Sequence, residues 1–135
     1  MNFTSVRIIT KEIQPLVRFY EKVLGSTAIQ YTEDFAELRT PLATLAIAST
    51  RTLALFGGDD IARPAENRSV IIEFRIDDVD STYQALTGFL GNSLVQKPVT
   101  MPWGNRSLLF KDPDGNLVNF FTPVTDDAKQ RAGTI

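Results

Sequence analysis

The chain has 135 residues, the length of one ordinary domain, and its 43% apolar and 22% charged content supports a packed core without disulfide or metal staples. It contains no cysteine and no histidine, which excludes disulfides, thiolate nucleophiles and the Ser-His-Asp and HExxH machineries and leaves acid–base work to Asp, Glu, Lys or Tyr. A net charge of −2 argues against nucleic acid, whose phosphates need a concentrated basic face. The first ten residues, MNFTSVRIIT, lack a basic region followed by an apolar one, and no apolar run approaches the ~20 residues of a membrane span. A soluble, cytoplasmic protein is the expectation.

Phe3–Ile9 is rich in β-branched residues and predicts a strand. Across Glu12–Leu24, Ile13, Leu16, Val17, Tyr20, Val23 and Leu24 recur at three- and four-residue spacing, which predicts a helix with one apolar stripe. Pro15 suits its first turn, and Gly25 its left-handed end. Strands are predicted over Ala28–Thr32, Phe35–Thr40, Thr44–Ser49 and Thr52–Phe56. The polar stretch 58–68 is a loop, and its acidic pair Asp59-Asp60 is expected to be solvated.

The order then repeats. Val70–Ile76 predicts a strand, Asp78 an N-cap, and Val79, Tyr83, Leu86 and Leu90 a helical stripe that Gly88 and Gly91 loosen. Strands follow at Ser93–Lys97, Arg106–Lys111 and Leu117–Phe121, the last two joined by the type I turn Asp112-Pro113-Asp114-Gly115. Two modules, 1–57 and 69–124, therefore form one domain over 1–124, with Ser5 and Ile71 in matching places. The polar tail 125–135 is expected to be poorly ordered.

Arg18-Phe19-Tyr20-Glu21-Lys22-Val23-Leu24-Gly25 resembles the FYxxVLG helix end of the vicinal-oxygen-chelate (glyoxalase/bleomycin-resistance/dioxygenase) superfamily. Pro102-Trp103-Gly104-Asn105-Arg106 and Asp112-Pro113-Asp114-Gly115-Asn116 resemble its PWGxR and DPDGN segments, with Ile76-Asp77-Asp78-Val79 between them. The resemblance spans 1–123. It implies an α+β fold of paired βαβββ modules forming a curved mixed sheet cup, often as a homodimer. Metal-dependent members place His, His or Gln, and Glu on the first, fifth and last strands; counting from the motifs puts those places on Ser5, Ile71 and Asn119, with a fourth near Leu55 or Phe56. Neutral oxygens and an isoleucine cannot offset the dehydration of a divalent cation. The expectation is no metal and no cofactor, and neither glyoxalase nor dioxygenase chemistry.

Strand parity gives the lining of the expected cup. Val6 and Ile8, then Val70, Ile72, Phe74 and Ile76, then Val118 and Phe120, form the sets predicted to pack under the helices. Ser5, Arg7 and Ile9, Ile71, Glu73 and Arg75, and Leu117, Asn119 and Phe121 face the other way. Arg7 and Glu73 make either a structural ion pair or a clamp in which a guanidinium holds an anionic group. Trp103 is a rim or interface aromatic or a stacking wall, Phe56 and Phe121 add apolar area, and Arg106 orientation. Tyr20 and Tyr83 are expected in the core with wet hydroxyls. The ligand-binding candidates are thus Ser5, Arg7, Phe56, Ile71, Glu73, Arg75, Trp103, Arg106, Asn119 and Phe121. Three functions remain open: a non-metal protein binding a small, partly aromatic or anionic ligand; a metal-independent lyase- or isomerase-type enzyme with Glu73 as base; and a degenerate module acting in protein association.

Overall fold

The computed structural model describes residues 1–58 and 60–133. Residues 1–67 together with 112–115 make one compact unit, and 68–111 with 116–133 a second. In the first, β1 (Ser5–Thr10) leads to α1 (Ile13–Leu24), then β2 (Ile29–Thr32), β3 (Phe35–Arg39) and β4 (Thr44–Ser49). The sheet runs β1-β4-β3-β2, with β1 parallel to β4 and the other pairs antiparallel. The helical stripe is the reason for the packing: Ile13, Leu16, Val17, Tyr20 and Val23 are all buried, and α1 lies over β3 and β4, where Ala36, Leu38, Leu45 and Ile47 are buried in turn. Each large apolar side chain so buried contributes roughly 1.5–3 kcal/mol. Gly25 ends α1 at φ 63°, ψ 34°.

The second unit has the same order of elements: β5 (Ile71–Arg75), α2 (Val79–Leu90), β6 (Leu94–Thr100), β7 (Asn105–Lys111) and β8 (Leu117–Pro123), with the sheet order β5-β8-β7-β6. Asp78 caps α2 by accepting from the N–H groups of Asp80 and Ser81. Val79, Leu86 and Leu90 are buried, as are Leu108, Phe110, Val118 and Phe120 in the strands. Phe120 meets Phe74 and Phe110 edge-on at 5.7 and 4.9 Å between ring centres, the arrangement that aromatic quadrupoles favour. Both units are α+β with βαβββ order, as expected. No described helix is long and apolar enough to cross a membrane.

The structure corrects four expectations here. Thr52–Phe56 is not a strand: residues 50–55 form a 3₁₀ turn. Ser49 starts it by accepting from the Arg51 N–H, and the Thr52 hydroxyl donates back to the Ser49 carbonyl. Local hydroxyl bonds of this kind compete with a sheet ladder. The tail is not irregular: Asp126–Ala132 form α3, capped by Thr125, while residues 134–135 lie outside the described residues. Val6 and Val70 are 39% and 52% exposed rather than packed under a helix. Val6 stands on an edge strand of its sheet, and Val70 precedes an edge strand. Tyr20 has no wet hydroxyl: it is fully buried and donates to the Asp112 carboxylate at 2.7 Å.

Candidate functional site

The site builds up from parity within each sheet. In the first unit, residues 36, 38, 45 and 47 point under α1, so Phe35, Glu37 and Arg39, Thr44, Ala46 and Ala48, and Ser5, Arg7 and Ile9 occupy the opposite, open face. The register aligns Arg7, Ala46 and Glu37 in one row across three strands. Ala46, buried between them, contributes only a methyl group, and the Arg7 and Glu37 backbone positions lie roughly 10 Å apart across two strand spacings. The Arg7 guanidinium carbon lies 4.6 Å from the centre of the Phe35 ring and 5.3 Å from that of Phe56. Both distances allow attraction between cation and ring quadrupole. Phe56 is 59% exposed, a wall rather than core. Ser5 is exposed one row away.

Tyr31 stacks on Phe35 at 5.5 Å, and its hydroxyl donates to Glu37 Oε1 at 2.9 Å. Arg39 donates to the same oxygen and to the Tyr31 hydroxyl. Glu37 is thereby neutralised within its own neighbourhood, and Tyr31, held by its stacking and hydrogen bonds, fixes the Phe35 ring. Among the described residues no carboxylate pairs with Arg7. An open pocket of about 290 Å³ lies at the Arg39 end, lined by Thr4, Glu37, Arg39, Leu42 and Thr44 among others. The sequence reading missed Tyr31, Phe35, Glu37 and Arg39. The alternation in Phe35-Ala36-Glu37-Leu38-Arg39, small or apolar at even positions, carried the signal.

In the second unit Ile71, Glu73 and Arg75, Leu117, Asn119 and Phe121, and Ser107, Leu109 and Lys111 share the open face. Glu73 and Asn119 are register partners, and Asn119 Nδ2 donates to Glu73 Oε2 at 2.8 Å. Asn119 is 9% exposed, and its Oδ1 is buried with no partner among the described residues. Ile71 is half exposed beside them, and Phe121 half buried. Each of the two charged candidates has a partner inside its own unit: two rings for Arg7, an amide for Glu73.

Two arginines depart from their expected roles. Arg106 pairs with Thr122 across the sheet, on the α2 side, and its Nε donates to both Asp80 oxygens at 3.0 and 2.9 Å. It thus anchors the first turn of α2. Its parity with Leu108 and Phe110 is the physical reason. Arg75 lies on the open face, but its Nη1 donates to the carbonyls of Ala132 and Gly133, so it caps the end of α3. Trp103 is 57% exposed, and its carbonyl accepts from Arg131 of α3. Asp60 pairs loosely with Arg63 at 3.7 Å, whereas Asp59 lies outside the described residues.

The three places where metal-dependent relatives carry ligands hold an exposed hydroxyl, an aliphatic side chain and an amide whose nitrogen is already committed. None of these three side chains, taken singly, supplies the charge or imidazole that offsets the dehydration of a divalent cation. Among the described residues no three His, Cys, Asp or Glu side chains gather as a ligand group.

Comparison with known proteins agrees with the architecture. The fold matches a glyoxalase/bleomycin resistance protein/dioxygenase from Nocardioides at a TM-score of 0.75, with 22% identity over 93% of this chain and 85% of that one. A glyoxalase/bleomycin resistance protein/dioxygenase family enzyme from Burkholderia phytofirmans PsJN matches at 0.78, with 16% identity over 92% and 100%. The uncharacterized protein YraH of Bacillus subtilis (strain 168) is 26% identical over 128 residues, 90% of this chain and 98% of that protein. The sequence profile of the family itself matches residues 2–120. The chain belongs to the Glyoxalase/Bleomycin resistance protein/Dioxygenase superfamily.

Proposed function

We propose that this chain is a binding protein, independent of a resident metal, for a small anionic molecule with an aromatic or apolar body, taken up on the open face of the first sheet. The carrying observation is Arg7: an exposed guanidinium beside two aromatic rings, with no carboxylate partner among the described residues. A guanidinium fork matches a carboxylate or phosphate oxygen pair, and the flanking rings hold it in place while offering apolar area. Glu37 does not compete for it, because Arg39 and Tyr31 already occupy that carboxylate. Phe56, 59% exposed, offers apolar area beside the guanidinium.

The test is titration calorimetry of the purified chain against simple aromatic carboxylates such as benzoate and naphthoate, with the uncharged amides as controls. The carboxylates should bind and the amides should bind about tenfold or more weakly, since each tenfold step is about 1.4 kcal/mol. Arg7→Ala should remove the difference, and Phe56→Ala should weaken both classes of probe. Equal affinity for acid and amide, or unchanged affinity in Arg7→Ala, would overturn the proposal.

A further inference from the structure

We infer that Glu73 and Asn119 form a second receptor, on the open face of the second sheet, for an organic cation that carries N–H donors: a primary ammonium or an amidinium. The inference uses residues of the second unit only and does not depend on Arg7.

The first observation is the stranded oxygen. Asn119 is 9% exposed, spends its Nδ2 on Glu73 Oε2, and leaves Oδ1 buried without a donor among the described residues. Buried amide oxygens are nearly always paired, so one that is not marks a place where a donor from outside the chain is stabilising. The second is the carboxylate beside it. Glu73 is exposed, keeps Asn119 on Oε2, and has no basic partner among the described residues. Of the two basic side chains that share its face, Arg75 donates to the end of α3. Lys111 stands in another row on β7, two strands from β5, roughly 10 Å across the sheet.

Glu73 Oε1 and Asn119 Oδ1 are both acceptors, and together they carry one negative charge. Their complement is a group with at least two N–H donors and one positive charge. A primary ammonium or an amidinium meets that description; a quaternary ammonium has the charge without the donors, and a carboxylate is repelled. The exposed Glu73 side chain is the movable part: its rotation uncovers Oδ1, which the arriving N–H then satisfies. Ile71, half exposed, supplies apolar contact for the body of the ligand.

The experiment is calorimetry on the full chain with benzamidinium and phenethylammonium, and with phenyltrimethylammonium as the cation without N–H groups. The first two should bind, and the third should bind about tenfold or more weakly. Asn119→Leu and Glu73→Gln should each weaken the N–H cations about tenfold or more, and Asn119→Asp should strengthen them by adding a second charge. Asn119→Leu should melt close to the parent, because removing the unpaired oxygen offsets the lost bond to the exposed Glu73. Arg7→Ala should leave these affinities unchanged, so loss of this site and loss of the carboxylate site are separately visible. Equal binding of the quaternary cation, undiminished binding in Asn119→Leu, or no binding of either N–H cation at millimolar concentration would overturn the inference.

Discussion

A single glycine shows how closely some positions are determined. Gly104 has φ +93°, and a Cβ there would sit 1.9 Å from Thr125 Oγ1 and 2.9 Å from the Ala128 methyl. Neither approach is possible without moving α3, and the backbone angle itself disfavours any side chain. Gly104→Ala should therefore destabilise the chain by about 3 kcal/mol or more, seen as a lower midpoint in urea unfolding. A neutral outcome would mean that α3 shifts at little cost. The same scale shows what the sequence could and could not disclose. Arg7 and Asn119 were legible, because strand alternation places side chains without knowledge of neighbours. Arg106 was equally legible from Leu108 and Phe110, yet the resemblance drew it toward the ligand. Tyr31 and the Phe35–Arg7 contact were not legible, since they depend on which strands pair and on the irregular register after Gln30. The Tyr20–Asp112 bond spans 92 positions, and no local pattern encodes it.

Elements were readable where one periodicity dominated and obscure where polar side chains decided. Both long helices have clean apolar stripes, and α2 begins where Asp78 predicts. The segment 50–55 has the composition of a strand, but the hydroxyls of Ser49 and Thr52 bend it into a 3₁₀ turn. α3 has only seven residues and a single buried side chain, Ala128, too little for a detectable stripe. Isolated helices of that length are unstable, so its fixtures must come from elsewhere. Thr125 caps its N-terminus, Asp126 and Asp127 complement the dipole there, and Arg75 and Arg131 tie it to β5 and to the Trp103 carbonyl. Replacing Thr125 by Ala should cost about 1 kcal/mol. Arg75→Gln should raise amide exchange over residues 126–133 while leaving β5 and β8 protected. If exchange in α3 does not change, Arg75 is not what holds the helix end. The same variant should bind aromatic carboxylates like the parent, which separates its structural role from the ligand-binding role expected from parity alone.

At the scale of the whole molecule, pH dependence has two limbs with different physics. Hydrogen bonding to Arg51 holds the Glu12 carboxyl below its usual range, and hydrogen bonds from Ser49 and then Arg51 do the same for Asp34. A carboxylate depressed in the folded state contributes stability above its unfolded pKa, and that stability is lost as pH falls through the folded value. Both groups lie at the surface, so this acid limb should be shallow and should flatten further in 1 M salt. The alkaline limb rests on Tyr20. Burial first, and the neighbouring Asp112 carboxylate second, push its phenol far above the ordinary range. The unfolded chain releases that proton near pH 10, whereas the folded chain holds it to higher pH. Stability is therefore fully present below pH 10 and falls above it, by about 1.4 kcal/mol per unit for this one group. Tyr20→Phe should cost about 1–3 kcal/mol at neutral pH, because it removes a donor from the buried Asp112 carboxylate. It should also make the decline above pH 10 less steep by that single proton, and salt should not restore it. Urea midpoints measured from pH 4 to 11, at low and high salt, distinguish the two limbs. An alkaline slope identical in parent and Tyr20→Phe would show that the buried phenol and the Asp112 turn do not govern the base stability of the fold.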